Sequence, residues 1–305
     1  MTDPMTGFPW AAALTNLWVT AVAVLVVMLA TLGVAVLRGG RHDGIDIVWG
    51  AGFAVIAVVT LVLSAGEGDA WRRWLITALT VVWGIRLAWH IGRRNHGKPE
   101  DERYVALMRE AKGNPYLHAF RKVYLTQGVV MWVVSLPVQL GQYGTGGGVL
   151  TSVLTVLGVL SWCVGFFFET VGDAQLARFT ADPANKGKVM DRGLWRYTRH
   201  PNYFGDAAVW WGLTLISLHH LPALVGLVSA ALMTWLLAKG TGAKLLESSI
   251  GERRPGYADY VRRTSGFIPM PPRSRTTGSR TTGSRTTGSR TTGSRTTERT
   301  PDEAR

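Results

Sequence analysis

The densest chemistry in the chain lies in Asp191–Asp206, DRGLWRYTRHPNYFGD. Arg196, Arg199, His200, Asn202, Tyr203 and Asp206 fall within eleven positions there, immediately before an apolar run. A helix begun at Pro201 would lose nothing at its first position, where a backbone N–H has no partner anyway. It would place Asn202 and Asp206 on one face at i,i+4. A helix N-terminus flanked by Arg196, Arg199 and His200 suits a phosphate-bearing ligand. Asn202 and Asp206 offer a donor amide and acceptors that suit an amide or a hydroxyl. The competing reading is an interfacial belt, with Trp195, Tyr197 and Tyr203 at headgroup level and the arginines facing lipid phosphate.

Other polar residues fall at helical spacing inside apolar segments. Trp83, Arg86, His90 and Arg93 follow i, i+3, i+7, i+10, which makes a polar stripe. Arg86 either snorkels to the headgroups or faces the bundle interior, and the stripe favours the interior. Glu169 and Asp173 are i,i+4, with Arg178 beyond them. Arg121, Tyr124 and Gln127 edge another apolar run. Tyr124 reads first as an interface anchor and second as a proton donor to a carbonyl. Tyr257 and Tyr260 sit in a polar, aromatic segment that can fold back under the bundle.

The elements that must position these groups are membrane helices. Seven runs approach or exceed the ~20 apolar residues that cross a bilayer: about Ala11–Leu37, Ile45–Ala65, Trp71–Ile91, Val123–Leu140, Val149–Phe168, Gly205–Leu218 and Leu221–Ala238. The expected fold is an all-α polytopic bundle. Asn95–Gly113 reads as a loop and then an amphipathic surface helix with Tyr104, Leu107, Met108 and Ala111 on its apolar face. The net charge of +13 is spread over alternate loops rather than one patch, which argues against nucleic acid. Arg/Lys-rich loops follow the first, third and fifth runs, while the other side has only Arg72 and Arg73. The positive-inside rule then puts the N-terminus outside and the C-terminus in the cytoplasm. The first run is too long for a signal peptide and lacks a basic lead.

The lone cysteine, Cys163, excludes an intrachain disulfide and reads as a buried hydrophobe. Gly144–Gly148 lacks the spacing of a phosphate loop. His219–His220 lacks a third ligand nearby, so no metal site is expected. Residues 1–272 form the expected membrane domain. Residues 273–305 are an SRTTG-repeat tail with nothing apolar to bury, expected to be disordered and to touch lipid at most.

GLWRYTRHPNYFGD at 193–206 resembles the signature of the steroid 5α-reductase superfamily of membrane enzymes, and most closely its bacterial DUF1295 branch. Further likeness is carried by RLAWHIGRR at 86–94, VYLTQGVVMWVVSLP at 123–137, FFETVGDAQLARF at 167–179 and RRPGYADYVRRTSGFIP at 253–269. The resemblance implies an NADPH-dependent reductase in a bacterial plasma membrane, with its cofactor site on the cytoplasmic side. It would transfer hydride to a conjugated C=C bond of a hydrophobic substrate drawn from the bilayer. By the same resemblance Asn202 and Asp206 would hold the nicotinamide end, and Asp173 and Arg178 the nucleotide. Asn95 and Lys98 would lie near the phosphates, with Arg196 and His200 as anion ligands. Tyr257 and Tyr260 would belong to a C-terminal cover. The family's tyrosine on the third helix is absent here. The proton donor is therefore left among His90, Tyr124 and Tyr203, or an arrangement specific to the substrate. Two other classes compete. Isoprenylcysteine carboxyl methyltransferases, which use S-adenosylmethionine, share an RHPxYxG core, but here Glu247 is followed by Ser248 rather than a second acid. A lipid-binding or transport protein would show repeated halves, and none is visible.

Overall fold

The computed structural model describes residues 7–240, 247 and 254–273, and among these every named element is helical. The repeat tail lies outside the described residues. Five helices are long and apolar enough to cross a membrane: Trp10–Leu37, Gly44–Leu63, Ala70–Asn95, Val149–Ala181 and Leu221–Gly240. That architecture is compatible with an integral membrane protein. The first three are α1, α2 and α3. α1 buries a stripe of Ala13, Asn16, Thr20, Val24 and Met28 at i+3/i+4 spacing, with Ala35 two turns further on, and turns its other faces outward, as a peripheral span does.

The expected surface helix is shorter than the sequence suggested. It forms only as α4 (Glu102–Arg109), because Asp101 caps it by accepting from the Arg103 backbone N–H at 2.9 Å. The expected fourth span is a broken rod. α5 (Pro115–Ala119) leads through a π turn (Phe120–Leu125) into α6 (Thr126–Val134), and a break at Ser135 precedes α7 (Leu136–Leu140). Pro137 explains the break. It has no N–H for the carbonyl of Val133 and its ring crowds that turn. The Val133 carbonyl instead accepts from the Ser229 hydroxyl at 2.7 Å, so that carbonyl is not left unpaired at membrane depth.

α8 (Val149–Ala181) continues 13 residues past the expected fifth span and carries Glu169, Asp173 and Arg178. α9 (Pro201–Ser217) starts with proline at its first position, as the sequence indicates. Its 17 residues rise about 26 Å. A 3₁₀ turn (Leu221–Val225), α10 (Gly226–Trp235) and a π turn (Leu236–Gly240) complete the last apolar segment. α11 (Tyr257–Arg263) follows in the C-terminal segment.

Two helix pairs hold the site residues in register, and both depend on glycine for close approach. A Cβ on Gly165 would lie 2.5 Å from the carbonyl oxygen of Gly205, and one on Gly205 would lie 2.5 Å from the backbone nitrogen of Glu169. α8 and α9 therefore touch backbone to backbone at the level of Glu169. Gly50 and Gly84 do the same for α2 and α3. We expect Gly205→Ala to cost about 1–3 kcal/mol through overpacking. Gly92→Ala is the control, because its Cβ would meet only Ile47 Cδ1 at 3.8 Å. Equal melting temperatures for the two variants would show that the α8–α9 contact is not limiting.

Where the pairs meet, Phe53, Trp83 and Trp210 form an aromatic layer with ring centroids 4.6–5.6 Å apart. All three are fully buried. The end of the bundle away from the basic loops is closed separately. Arg73 donates to the Leu61 carbonyl at 2.7 Å, closing the C-terminus of α2. The buried Arg72 pairs with Asp69. His219 and His220 each place Nε2 3.2 Å from a backbone carbonyl, of Tyr143 and Leu140. Burial, reinforced by Arg72 near His219 and by the neighbouring His219 ring near His220, pushes both imidazoles down to about 4. A folded-state value below the ordinary 6.5 means that the unfolded chain binds the extra proton first. Stability is therefore full above that value and falls as pH drops from it toward 4. The slope is up to about 1.4 kcal/mol per pH unit for each histidine. Melting curves at pH 7.5 and pH 5 on wild type and on a His219→Gln/His220→Gln variant check this, and the variant should show the flatter dependence.

Candidate functional site

Just on the basic-loop side of the aromatic layer, three helices bring a buried polar cluster together. α3 supplies Trp83, Arg86 and His90, α8 supplies Glu169 and Asp173, and α9 supplies Asn202 and Asp206. Trp83 Nε1–H donates to Glu169 Oε2 at 2.8 Å. Arg86 bridges both acids of α8, donating to Glu169 Oε1 at 2.6 Å, to the Glu169 carbonyl at 3.0 Å and to Asp173 Oδ2 at 2.5 Å. His90 Nε2 lies 3.4 Å from the same Asp173 oxygen. The Asn202 side-chain amide donates to Asp173 Oδ1 at 3.1 Å. Asp206, 8% exposed, keeps one carboxylate oxygen buried with no partner among the described residues.

The acids outnumber the bases. Three carboxyl groups face one guanidinium, with His90 at the rim. Coulomb attraction between opposite charges is strong at such depth, but so is the cost of leaving a charge uncompensated. The arrangement suits a ligand that brings N–H donors or positive charge to Asp206.

Among the expected site residues, the structure brings His90, Asp173, Asn202 and Asp206 into this cluster. It places the others elsewhere. Arg178, Arg196 and Lys98 are exposed and form no ion pair among the described residues. Arg178 lies in the last turn of α8, Arg196 in the 3₁₀ turn that precedes α9, and Lys98 just past the end of α3. Asn95, half-buried, ends α3 and accepts from Arg94 Nε at 3.2 Å. His200 is buried, with Nε2 2.9 Å from Glu247 Oε1, and its ring stacks on Tyr203 at 5.4 Å. Arg199 takes the same carboxylate through Nε at 2.8 Å and donates to the Thr264 carbonyl at 3.0 Å.

The C-terminal segment does fold back under the bundle. Arg199 N–H donates to the Ser265 carbonyl, and Met270 N–H donates to the Tyr197 carbonyl, both at 2.9 Å. Tyr260 donates its hydroxyl to the Trp195 carbonyl at 2.6 Å. Burial pushes the Tyr257 phenol up to about 12 and raises Tyr260 as well, so both remain neutral. In this conformation Tyr260 holds the 193–196 turn to α11.

Tyr124 is not an interface anchor. It is fully buried, with its hydroxyl 3.0 Å from His42 Nδ1. The π turn aims it inward, and its partner comes from the α1–α2 loop, 82 positions away. The third helix has no tyrosine, but α4 supplies a phenol to the acid of α2. Tyr104 donates to Asp46 Oδ1 at 2.5 Å and accepts from Gln127 at 3.2 Å, while Arg103 pairs with Asp46 at 3.0 Å. Burial and the Asp46 carboxylate raise the Tyr104 phenol.

Sequence reasoning left Trp83, Arg86 and Glu169 off the site. The stripe on α3 pointed to Arg86. An acid directly after three phenylalanines was the signal for Glu169.

The family described as protein of unknown function (DUF1295) matches residues 33–264, more than half of the chain, and the chain belongs to it. No curated protein and no solved structure matches it.

Proposed function

We propose that this DUF1295 member is an NADPH-dependent membrane reductase acting on a conjugated C=C bond of a hydrophobic compound from the bilayer. The observation that carries the reading is the buried, unpartnered oxygen of Asp206 beside Asn202, at the start of a helix that opens toward the basic loops. A carboxamide is the complement of that pair, since its N–H donates to a carboxylate and its carbonyl accepts from an amide. Asn202 and Asp206 would hold the nicotinamide end. Arg178, Arg196, Lys98 and Asn95, all on the loop side, would meet the anionic remainder of the cofactor. Bound NADPH would supply the hydride. The chain's own residues would supply orientation, exclude water through the Phe53–Trp83–Trp210 layer, and deliver a proton. The positive-inside rule assigns the loop side to the cytoplasm.

A second reading has its own support. An acid-rich cluster with a single arginine also suits a cationic ligand, and S-adenosylmethionine carries both a sulfonium and an ammonium group. Thermal stability of the detergent-purified protein, titrated separately with NADPH, NADH and S-adenosylmethionine, tests the choice. A ligand that binds only the folded state raises stability once its concentration passes Kd. We expect a rise with NADPH. A rise with S-adenosylmethionine alone would move the protein to methyl transfer, and no rise with any of the three would remove the enzymatic reading.

A further inference from the structure

A cavity of about 580 Å³ lies at the basic-loop end of the bundle, and no residue of the buried acid cluster borders it. Its walls come from the last turn of α1 and the glycines after it, from α4, and from the start of α5. Two opposite charges stand on those walls. Glu100 lies just before α4 and Arg109 is its last residue. They form no ion pair with each other or with any other described residue.

The carboxylate is held in place. Glu100 is half-buried, and its Oε1 accepts from the His42 backbone N–H at 2.5 Å. The arginine nearest in the same loop cannot neutralise it, because Arg41 gives Nε and one terminal nitrogen to Asp43, at 3.0 and 2.7 Å. A half-buried carboxylate without a cation is a cost to the fold. On the other wall the Arg109 guanidinium is exposed and has no carboxylate partner among the described residues. An anion alone would face Glu100, and a cation alone would face Arg109. A ligand that carries both charges satisfies both walls.

The depth of the cavity says where such a ligand comes from. Val36, on its wall, is in the last turn of a 28-residue apolar helix long enough to cross a membrane. α4, which supplies Val105, Met108 and Arg109, is the amphipathic element next to that end. Lipid headgroups lie at this level. Val36, Val105, Met108 and Pro115 add an apolar side to the cavity, which suits the start of a lipid chain better than a free ion. Gly39 and Gly40 turn the chain away from α1 at φ +79° and +84°, and no atom lies within 4 Å of where a Cβ would sit at either. The backbone there leaves room beside the opening.

We propose that this cavity binds the phosphoethanolamine headgroup of a membrane lipid, with Arg109 on the phosphate and Glu100 on the ammonium. The guanidinium offers a fork of N–H donors that matches two phosphate oxygens. The ammonium donates to the carboxylate, and three N–H groups make it the only common headgroup cation that can. No residue of α3, α8 or α9 takes part, so the site stands independently of the reductase reading.

Native mass spectrometry of the detergent-purified full chain tests this. The protein is titrated separately with dioleoyl-phosphatidylethanolamine, the matching phosphatidylcholine and phosphatidylglycerol, and water-soluble phosphoethanolamine. We expect the ethanolamine lipid to bind at least about tenfold more tightly than the other two lipids. Choline keeps the positive charge but has no N–H for Glu100, and the glycerol headgroup has no cation. Glu100→Gln keeps an oxygen that can accept from the His42 N–H and removes the charge, so the ethanolamine preference should shrink to about twofold or less. Arg109→Gln, at an exposed position that the fold does not need, should weaken all three lipids about tenfold. Equal affinity for the three lipids in wild type, or an ethanolamine preference that survives in both variants, would overturn the proposal. Phosphoethanolamine binding as tightly as the lipid would overturn the assignment to the bilayer.

Discussion

Arg86→Ala is expected to melt about 10 °C below wild type, from a loss of about 3–5 kcal/mol. The substitution leaves Glu169 and Asp173, 3% and 8% exposed at their side chains, without the guanidinium that bridges them. Arg86→Lys should fall between the two, since an ammonium keeps the charge but cannot reach Glu169 Oε1, its carbonyl and Asp173 together. The cause can be isolated by adding Glu169→Gln and Asp173→Asn to Arg86→Ala. That triple variant removes the uncompensated charge and should regain most of the loss. A single variant as stable as wild type would mean that water or a proton already neutralises the acids, and the cluster would lose its standing as an electrostatic keystone.

The second large effect is on binding. Asp206→Asn replaces a carboxylate oxygen by an amide donor and should weaken NADPH about 10–100-fold, the effect of losing a buried, charge-assisted hydrogen bond of about 1–3 kcal/mol. Asp206→Ala and Asn202→Ala should abolish the NADPH-dependent rise in melting temperature. The unliganded Asp206 variants should melt no lower than wild type, because the oxygen removed has no partner among the described residues and its burial is a cost. Together these outcomes separate a binding residue from a structural one. Unchanged NADPH affinity in both alanine variants would remove the central claim of the proposed function.

How much of this was legible in the sequence depended on whether the deciding partner lay within a helical turn or far along the chain. The start of α9 was legible, because proline at the first position is a local rule. The inward turn of Arg86 was legible from a periodic stripe. Glu169 looked like an acid near a span end because its partners, Trp83 and Arg86, are more than 80 positions away. Tyr124 was misread for the same reason, since an aromatic beside Arg121 and Lys122 fits an interface belt until His42 is seen behind it. The break at Ser135 needed Ser229 as well as Pro137. Proline alone announces a kink, but a second helix must take the released carbonyl. The extension of α8 past its apolar run escaped notice because hydropathy marks where lipid ends, not where a helix does.

The layer formed by Phe53, Trp83 and Trp210 also has an electrical consequence. A membrane voltage drops mainly across material that excludes water and ions, and each elementary charge carried through that drop costs or gains about 2.3 kcal/mol per 100 mV. Trp83 is fully buried, whereas the His90 side chain, two turns along the same helix, is 26% exposed. The acid cluster therefore lies on the His90 side of the aromatic layer. A charged ligand or proton that reaches Asp206 from the His90 end does not pass through the aromatic layer, so only the share of the membrane voltage that drops on the His90 side of that layer acts on it.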